Sequence, residues 1–187
     1  MDNTFFVDCG ANVGKVLLET FREHPDWVFH AFEPNPKCCR ALRNIPIPNL
    51  TIHEVAVWTS DGTRTLYLPE QILSGTLMEN KKNLPVLETI KVPTLDLSKW
   101  LLALPPIPIV LKMDIEGAEY QVLPHLLDTD AINRVVELQI EFHYDRMTDV
   151  SREEHDALVQ RLTDRFRAKP TRTGGRGFYA KFIWKMP

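Results

Sequence analysis

The chain has 187 residues, 44% of them hydrophobic and 25% charged, with a formal net charge of −3. That length suits one domain with a well-buried core, and no apolar run approaches the roughly 20 residues that a bilayer span needs. The negative charge argues against general binding to nucleic acid or to anionic membranes. Cys9, Cys38 and Cys39 are odd in number, two of them adjacent, and lack zinc-ligand spacing, so a disulfide framework is not expected and a reducing, cytoplasmic setting is. The chain enters a strand almost at once, with no basic segment or apolar core of a signal peptide.

The first strand, near residues 4–8, runs into the turn Asp8-Cys9-Gly10-Ala11-Asn12-Val13-Gly14, and an amphipathic helix over 13–24 leaves it with Val13, Val16, Leu17 and Phe21 on one face. Gly10 allows a close approach of backbone to ligand, and the start of a helix favours an anionic group. A second apolar run, 27–32, ends in Glu33, placed to grip the two hydroxyls of a ribose. A dinucleotide turn reads G-x-G-x-x-G, the second glycine making room for pyrophosphate. Here that position is Asn12, which fits a nucleoside ligand with no pyrophosphate, a carboxylate near the helix and a cationic centre near an acid. S-adenosyl-L-methionine has that shape. Cys9 reads as a small residue packed inside the turn.

Strand and helix signals then alternate, as in a parallel sheet covered by helices. Further strands are expected near 51–57, 108–114 and 134–142, and helices near 36–44, 94–103, 118–127 and 152–166. Ser151 and Glu154 form a capping box for the last of these. The stretch 167–185 breaks the alternation and reads as an antiparallel hairpin turning at 173–177. Residues 59–92 are the least regular part. They contain a turn at 60–63, a short strand at 65–68 and a long loop from Gln71 to Leu87. Long loops in compact domains are usually functional, so this insertion, with Tyr144 to Val150, is the expected lid over a substrate pocket. The C-terminal run Arg161, Arg165, Arg167, Lys169, Arg172 and Arg176 is read as a solvated face.

Ligands of an open parallel sheet bind beyond the carboxyl ends of its strands, which puts Asp8, Glu33, Asp114 and Glu141 on one rim. Asp114 follows the buried run Ile109 to Met113 and should face the reacting centre. Glu141 and His143 are two apart and share one strand face; a His held by a carboxylate can accept a proton near neutral pH. The same three residues, Asp114, Glu141 and His143, are an alternative set of ligands for Mg²⁺, which would orient and acidify a vicinal diol, although imidazole is a poor ligand for that ion. Another alternative is a protein that binds the cofactor without catalysis.

Together these segments resemble the FkbM family of S-adenosylmethionine-dependent methyltransferases. The likeness runs from Phe6–Gly14 through Ala31-Phe32-Glu33-Pro34-Asn35-Pro36, Ala56-Val57, Ser60–Thr63 and Val92–Asp96 to the specific block Leu111-Lys112-Met113-Asp114-Ile115-Glu116-Gly117-Ala118-Glu119. It implies a class I, Rossmann-like methyltransferase domain, α/β with a mostly parallel sheet and a final antiparallel strand, and O-methylation of a sugar, glycan or similar natural product. On this resemblance Asp8, Gly10, Ala11 and Asn12 hold the methionine part and Glu33 the ribose, with Gly14 also expected at the cofactor. Pro34, Asn35, Ala56 and Val57 lie along the adenosine, with Asp61 as a weaker candidate, and Asp114 sits near the amino group or the acceptor. Pro124 departs from the pattern and is expected to kink or restart its helix, since an interior proline costs roughly 3 kcal/mol. Methyl transfer is an in-line displacement that depends on alignment, and a hydroxyl needs its proton removed as the bond forms. His143, Asp114 and Glu141 are the expected bases, in that order, with Trp58 or Tyr144 offering a face to a sugar. No resident metal, nucleic-acid partner or membrane is expected.

Overall fold

A computed structural model describes residues 4–69, 75–82, 85–173 and 181–186. Its centre is a seven-stranded sheet in the order β3-β2-β1-β7-β8-β10-β9. The strands are β1 (Phe5–Cys9), β2 (Val28–Phe32), β3 (Leu50–His53), β7 (Ile109–Met113), β8 (Val135–Glu141), β9 (Thr171–Thr173) and β10 (Lys181–Lys185). The first five in spatial order are mutually parallel, and β10 runs antiparallel to both β8 and β9. This is the expected α/β sheet with its antiparallel end. The turn expected at 173–177 lies, beyond Thr173, outside the described residues.

The two-residue period of β1 and β7 divides the core. Phe5, Val7 and Cys9 of β1, with Ile109, Leu111 and Met113 of β7, face α3 (Leu97–Ala103), α4 (Glu119–Asp128) and α5 (Arg152–Phe166). Phe6 and Val110 face the other way, against α1 (Lys15–Glu23) and α2 (Pro36–Leu42). Both middle strands are buried on each face, so their apolar runs are nearly continuous. Continuing the alternation sends Asp8 and Lys112 to the α1 side, and the register makes them direct neighbours.

Three expectations change. The run 51–57 is two strands: β3 is the half-exposed edge of the main sheet, whereas β4 (Ala56–Trp58) is buried along its length and pairs elsewhere. An apolar triplet cannot be covered at a sheet edge, so the chain leaves it. Residues 59–92 are also more regular than they read. β5 (Gly62–Pro69) and β6 (Val86–Asp96) form an antiparallel ribbon that joins β4 in a second sheet of order β4-β6-β5. Leu66, Leu68 and Val92 of the ribbon form a small apolar cluster with Ala56, while most of its other positions are exposed or polar, which gives a weak strand signal. Finally, the helix expected from 94 starts at Leu97, because Asp96 caps it by accepting the N–H groups of Ser98 and Lys99 at 3.0 and 3.3 Å.

Helix α4 runs through Pro124 to Asp128 without restarting. Its buried residues Val122, Leu123 and Leu126 supply the packing that offsets the missing N–H. No helix among the described residues is long and apolar enough to cross a membrane. All three cysteines are free and buried.

The capping box of α5 is complete: Glu154 N–H donates to Ser151 Oγ at 3.1 Å and Ser151 N–H to Glu154 Oε2 at 2.8 Å. Ser151→Ala should lower the unfolding free energy by about 1 kcal/mol, the usual worth of an N-cap. A urea denaturation midpoint lower than that of the parent, with an unchanged slope, is the expected observation.

Candidate active site

At the carboxyl end of β1 the chain enters left-handed backbone at Gly10 (φ 81), Asn12 (φ 52) and Gly14 (φ 83). A Cβ on Gly10 would stand 1.9 Å from the Asp114 carbonyl oxygen, and one on Gly14 2.0 Å from Ile45 Cδ1. Glycine at 10 is thus needed for the approach of the turn to the loop after β7, and glycine at 14 for packing. The N–H groups of Gly10 and Ala11 both donate to the Phe32 carbonyl, at 3.0 and 3.1 Å, which ties the turn to the end of β2.

Glu33 follows directly. One carboxylate oxygen accepts the Asn12 N–H and the other the Asn35 N–H, each at 2.8 Å, so it joins the glycine turn to the start of α2. Burial pushes its carboxyl above the usual range, against the two N–H donors. Asn35 caps α2 by accepting the Lys37 N–H at 2.9 Å. Gly10, Asn12, Glu33, Pro34, Asn35, Ala56, Val57 and Asp114 all line one cavity. The residues expected to bind the cofactor are therefore largely brought together.

Three of that set are not in the lining. Asp8 is fully buried, with Oδ1 2.9 Å from Lys112 Nζ. Ala11 is buried in the α1-side core, and Gly14 packs on Ile45. Asp61 is also elsewhere: it accepts the Asp96 N–H at 2.9 Å and so holds the β6–α3 joint. Trp58 is buried with the Arg64 guanidinium 3.9 Å above its ring, and Tyr144 stacks on His155 at 4.4 Å. Each aromatic face expected to meet a sugar is thus covered on one side by the protein's own side chain.

Sequence reasoning passed over several lining residues. Phe32, Leu66 and Leu77 give the cavity apolar walls, and Cys38, Ile115, Glu116 and Ala118 complete it. Leu66 comes from β5 and Leu77 from the segment between β5 and β6, and nothing local in the sequence marks them. Lys112, also passed over, carried a signal that could have found it, as a lone cation in a buried strand. Its Nζ donates to the Gly10 carbonyl at 2.9 Å and lies 3.9 Å from Asp114 Oδ2. Burial alone would depress its ammonium, but Asp8 and Asp114 outweigh that and raise it.

The far wall is acidic. Burial pushes Asp114 up to about 6, against Lys112 and His143. His143, 1% exposed, places Nδ1 3.1 Å from Glu119 Oε1. Its Nε2 faces Glu116 at 3.5 Å, Asp114 at 3.8 Å and Glu141 at 4.0 Å. Burial would lower this imidazole, but Glu119, Glu116 and Asp114 prevail and raise it to about 9. The dominant carboxylate is Glu119, not the Glu141 that sequence proximity suggests. Glu119 is fully buried and also accepts the N–H groups of Ile115 and Gly117, both at 2.9 Å. Glu141 and His143 reach the cavity through Asp114 and Glu116, which line it. Glu116 is further paired with Lys81 and lies 3.7 Å from Arg146 Nη1.

The donor set fits a nucleoside with a charged tail: an apolar slot bounded by Phe32, Ala56, Val57 and Leu66, one buried carboxylate at its edge, and a glycine turn leading to an acidic end. The model of the methyltransferase FkbM domain matches residues 8–167. "Methyltransferase 1" of Beauveria bassiana (strain ARSEF 2860) is 30% identical over 159 residues, covering 72% of this chain and 64% of that protein. The chain therefore spans just under two thirds of that relative. Among solved structures, human methyltransferase-like protein 13 in complex with SAH is similar with a TM-score of 0.55 at 10% identity, covering 100% of this chain and 72% of the other. The Methanococcus jannaschii fibrillarin pre-rRNA processing protein gives 0.51 at 9% identity, with 99% and 67% covered. These two likenesses concern the fold.

Gly10→Ala should cost at least about 2 kcal/mol, from a left-handed L-residue and the overlap with the Asp114 carbonyl. Urea unfolding of the variant should show the loss; a midpoint equal to that of the parent would contradict the close approach of the two loops.

Proposed function

The chain belongs to the FkbM family of S-adenosylmethionine-dependent methyltransferases, and on that premise we propose that it methylates a hydroxyl of a sugar, a glycan or a similar natural product. The observation that carries this reading is the acidic wall: Asp114 and Glu116 line the cavity, and Glu141 and His143 stand directly against them. Carboxylates there repel a phosphate backbone and suit the hydrogen-bond donors of a polyol.

Within this reading Gly10 and Asn12 present backbone to the methionine part, and Glu33 offers its remaining lone pairs to the ribose. Phe32, Ala56, Val57 and Leu66 enclose the base, with Pro34 and Asn35 beside it. Asp8 acts at one remove, holding Lys112 and through it the Gly10 carbonyl. When bound, the cofactor's sulfonium supplies an electrophilic methyl group. The chain's own contribution is to align the acceptor oxygen and to lower the cost of losing its proton. Asp114 and Glu116 are the members of the acidic corner that line the cavity, and Glu116 is paired with Lys81, so the Asp114 carboxylate is the one an acceptor hydroxyl meets. Without a further cation beside it, His143 is raised to about 9 by Glu119, Glu116 and Asp114, so it stands behind Asp114 as a charged partner of the corner.

Two measurements test the reading. Glu33→Ala removes charge-assisted hydrogen bonds worth roughly 1.5–3 kcal/mol each, so calorimetry should show S-adenosylmethionine binding weakened at least tenfold, and unchanged affinity would sink the site. Incubation with methyl-labelled cofactor should label glycosides or hydroxylated natural products as alkali-stable ethers and leave RNA and DNA blank. Strong labelling of RNA would replace the proposed acceptor class.

A further inference from the structure

We propose that Asp114, Glu141 and His143 form a divalent-cation site that takes the acceptor hydroxyl as a further ligand, an inference that rests on the function proposed above. One ligand atom from each of these three residues lies within 4.8 Å of the others. A first-row cation held at about 2.1 Å needs donors about 3 Å apart at right angles and about 4.2 Å apart across the ion. His143 Nε2 stands 3.8 Å from Asp114 Oδ1 and 4.0 Å from Glu141 Oε1, between those two spacings, so an ion would sit among the three donors at wide angles and draw them slightly together. His143 also fits the geometry of a metal-bound histidine on its other side. Nδ1 is 3.1 Å from the buried Glu119 carboxylate, the partner that fixes the tautomer and turns Nε2 outward as the donor atom.

The simpler account is that protonated His143 neutralises the cluster by itself. Its Nε2 carries one proton on that side, yet it faces three carboxylates at 3.5, 3.8 and 4.0 Å. None closes to the about 2.8 Å of a charge-assisted hydrogen bond, whereas Glu119 at Nδ1 comes nearer. The oxygens are spaced around a gap rather than around a proton. Glu116 is already matched by Lys81 and Arg146, and Lys112 lies 3.9 Å from Asp114 but is shared with Asp8 and the Gly10 carbonyl. Among the described residues Glu141 faces His143 and lies opposite Lys181 across the strand pair, and Asp114 shares Lys112 with Asp8; a cation with neutral imidazole as ligand would balance the carboxylate charge these leave at the corner.

One imidazole with two carboxylates suits Mn²⁺ or a similar first-row ion better than Mg²⁺. Bound there, the ion would polarise the acceptor O–H, so that its proton leaves to solvent as the C–O bond forms and the S–C bond breaks. S-adenosylhomocysteine departs with the electron pair.

The test is metal uptake by the full chain, read independently of turnover. Chelator-stripped protein is titrated with Mn²⁺ by electron paramagnetic resonance, with S-adenosylmethionine binding measured in parallel by calorimetry and folding by thermal melts. One Mn²⁺ per chain is expected, bound at least tenfold more tightly than Mg²⁺. Glu141→Gln should weaken Mn²⁺ at least tenfold, and Asp114→Asn likewise, with cofactor affinity in Glu141→Gln within about threefold of the parent. Glu141→Gln preserves the shape of a partly exposed strand-end residue, which avoids the folding risk of replacing buried His143. Stripped protein that binds cofactor and takes up no Mn²⁺ at millimolar concentration overturns the site, as does uptake that neither variant alters. Mn²⁺ uptake sensitive to both variants but without cofactor binding would uphold the cation site and overturn the functional reading instead.

Discussion

The contact on which the site depends is the buried pair of Asp8 and Lys112. It follows from strand register: β1 and β7 are parallel neighbours, and Asp8 lies opposite Lys112. Both residues continue the face begun by Phe6 and Val110, so both enter the α1 side of the sheet with water excluded. Lone charges there would be untenable, and a buried pair is helped by further hydrogen bonds to its members. The Gly10 carbonyl does that for Lys112. One ammonium thus ties the first strand, the glycine turn and, through Asp114, the start of the acidic block. Removing either partner would strand the other charge, a loss of the order of 3–5 kcal/mol, even though neither residue lines the cavity.

A second buried charge organises the opposite wall in the same manner. Glu119 opens α4 and accepts two backbone N–H groups from the loop before it, besides facing His143 Nδ1. His143 and these donors hold its carboxyl below the usual range despite full burial. Position in the helix favours it as well, because a carboxylate in the first turn is stabilised by the helix dipole. The loop it holds contains Glu116 at φ 56 and Gly117 at φ 112, conformations that L-residues adopt at a cost. Glu119 supplies the hydrogen bonds that offset that cost and so aims Asp114 and Glu116 at the cavity.

The parallel core was legible because its strands are apolar on both faces and end in glycines and acids with a recognisable spacing. The part of the cavity proposed for the cofactor came with it, since Gly10, Asn12, Glu33 and Asn35 sit at the ends of two successive strands in a recognisable pattern, and Glu33 accepts the N–H groups of Asn12 and Asn35. Contacts across long sequence separations were not legible. The ribbon β5–β6 buries few side chains, so Leu66 gave no signal as a wall of the cavity. Glu119 read as an ordinary helix-dipole acid because its partner, His143, is 24 residues away. Trp58 and Tyr144 read as open faces because nothing in the sequence shows that Arg64 and His155 lie upon them.

The acidic corner is also roofed by two segments that the sequence joined only as lid material. Lys82 N–H donates to the Arg146 carbonyl at 2.6 Å, and Thr148 N–H to the Asn80 carbonyl at 3.2 Å. Thr76 Oγ1 donates to the Glu116 carbonyl at 2.7 Å, and the side chain of Met147 packs so near Gly117 that a Cβ there would meet its sulfur at 2.5 Å. These contacts limit water at the corner, and charge interactions strengthen as water leaves. Lys81 belongs to the roof and is also the cation nearest Glu116. Access and charge are therefore coupled: lifting the 75–82 segment would take Lys81 from Glu116 and leave Arg146, 3.7 Å away, as the cation facing it beside His143. The roof closes most favourably over a corner whose negative charge it helps to balance, which makes Lys81 part of the site's electrostatics as well as of its lid.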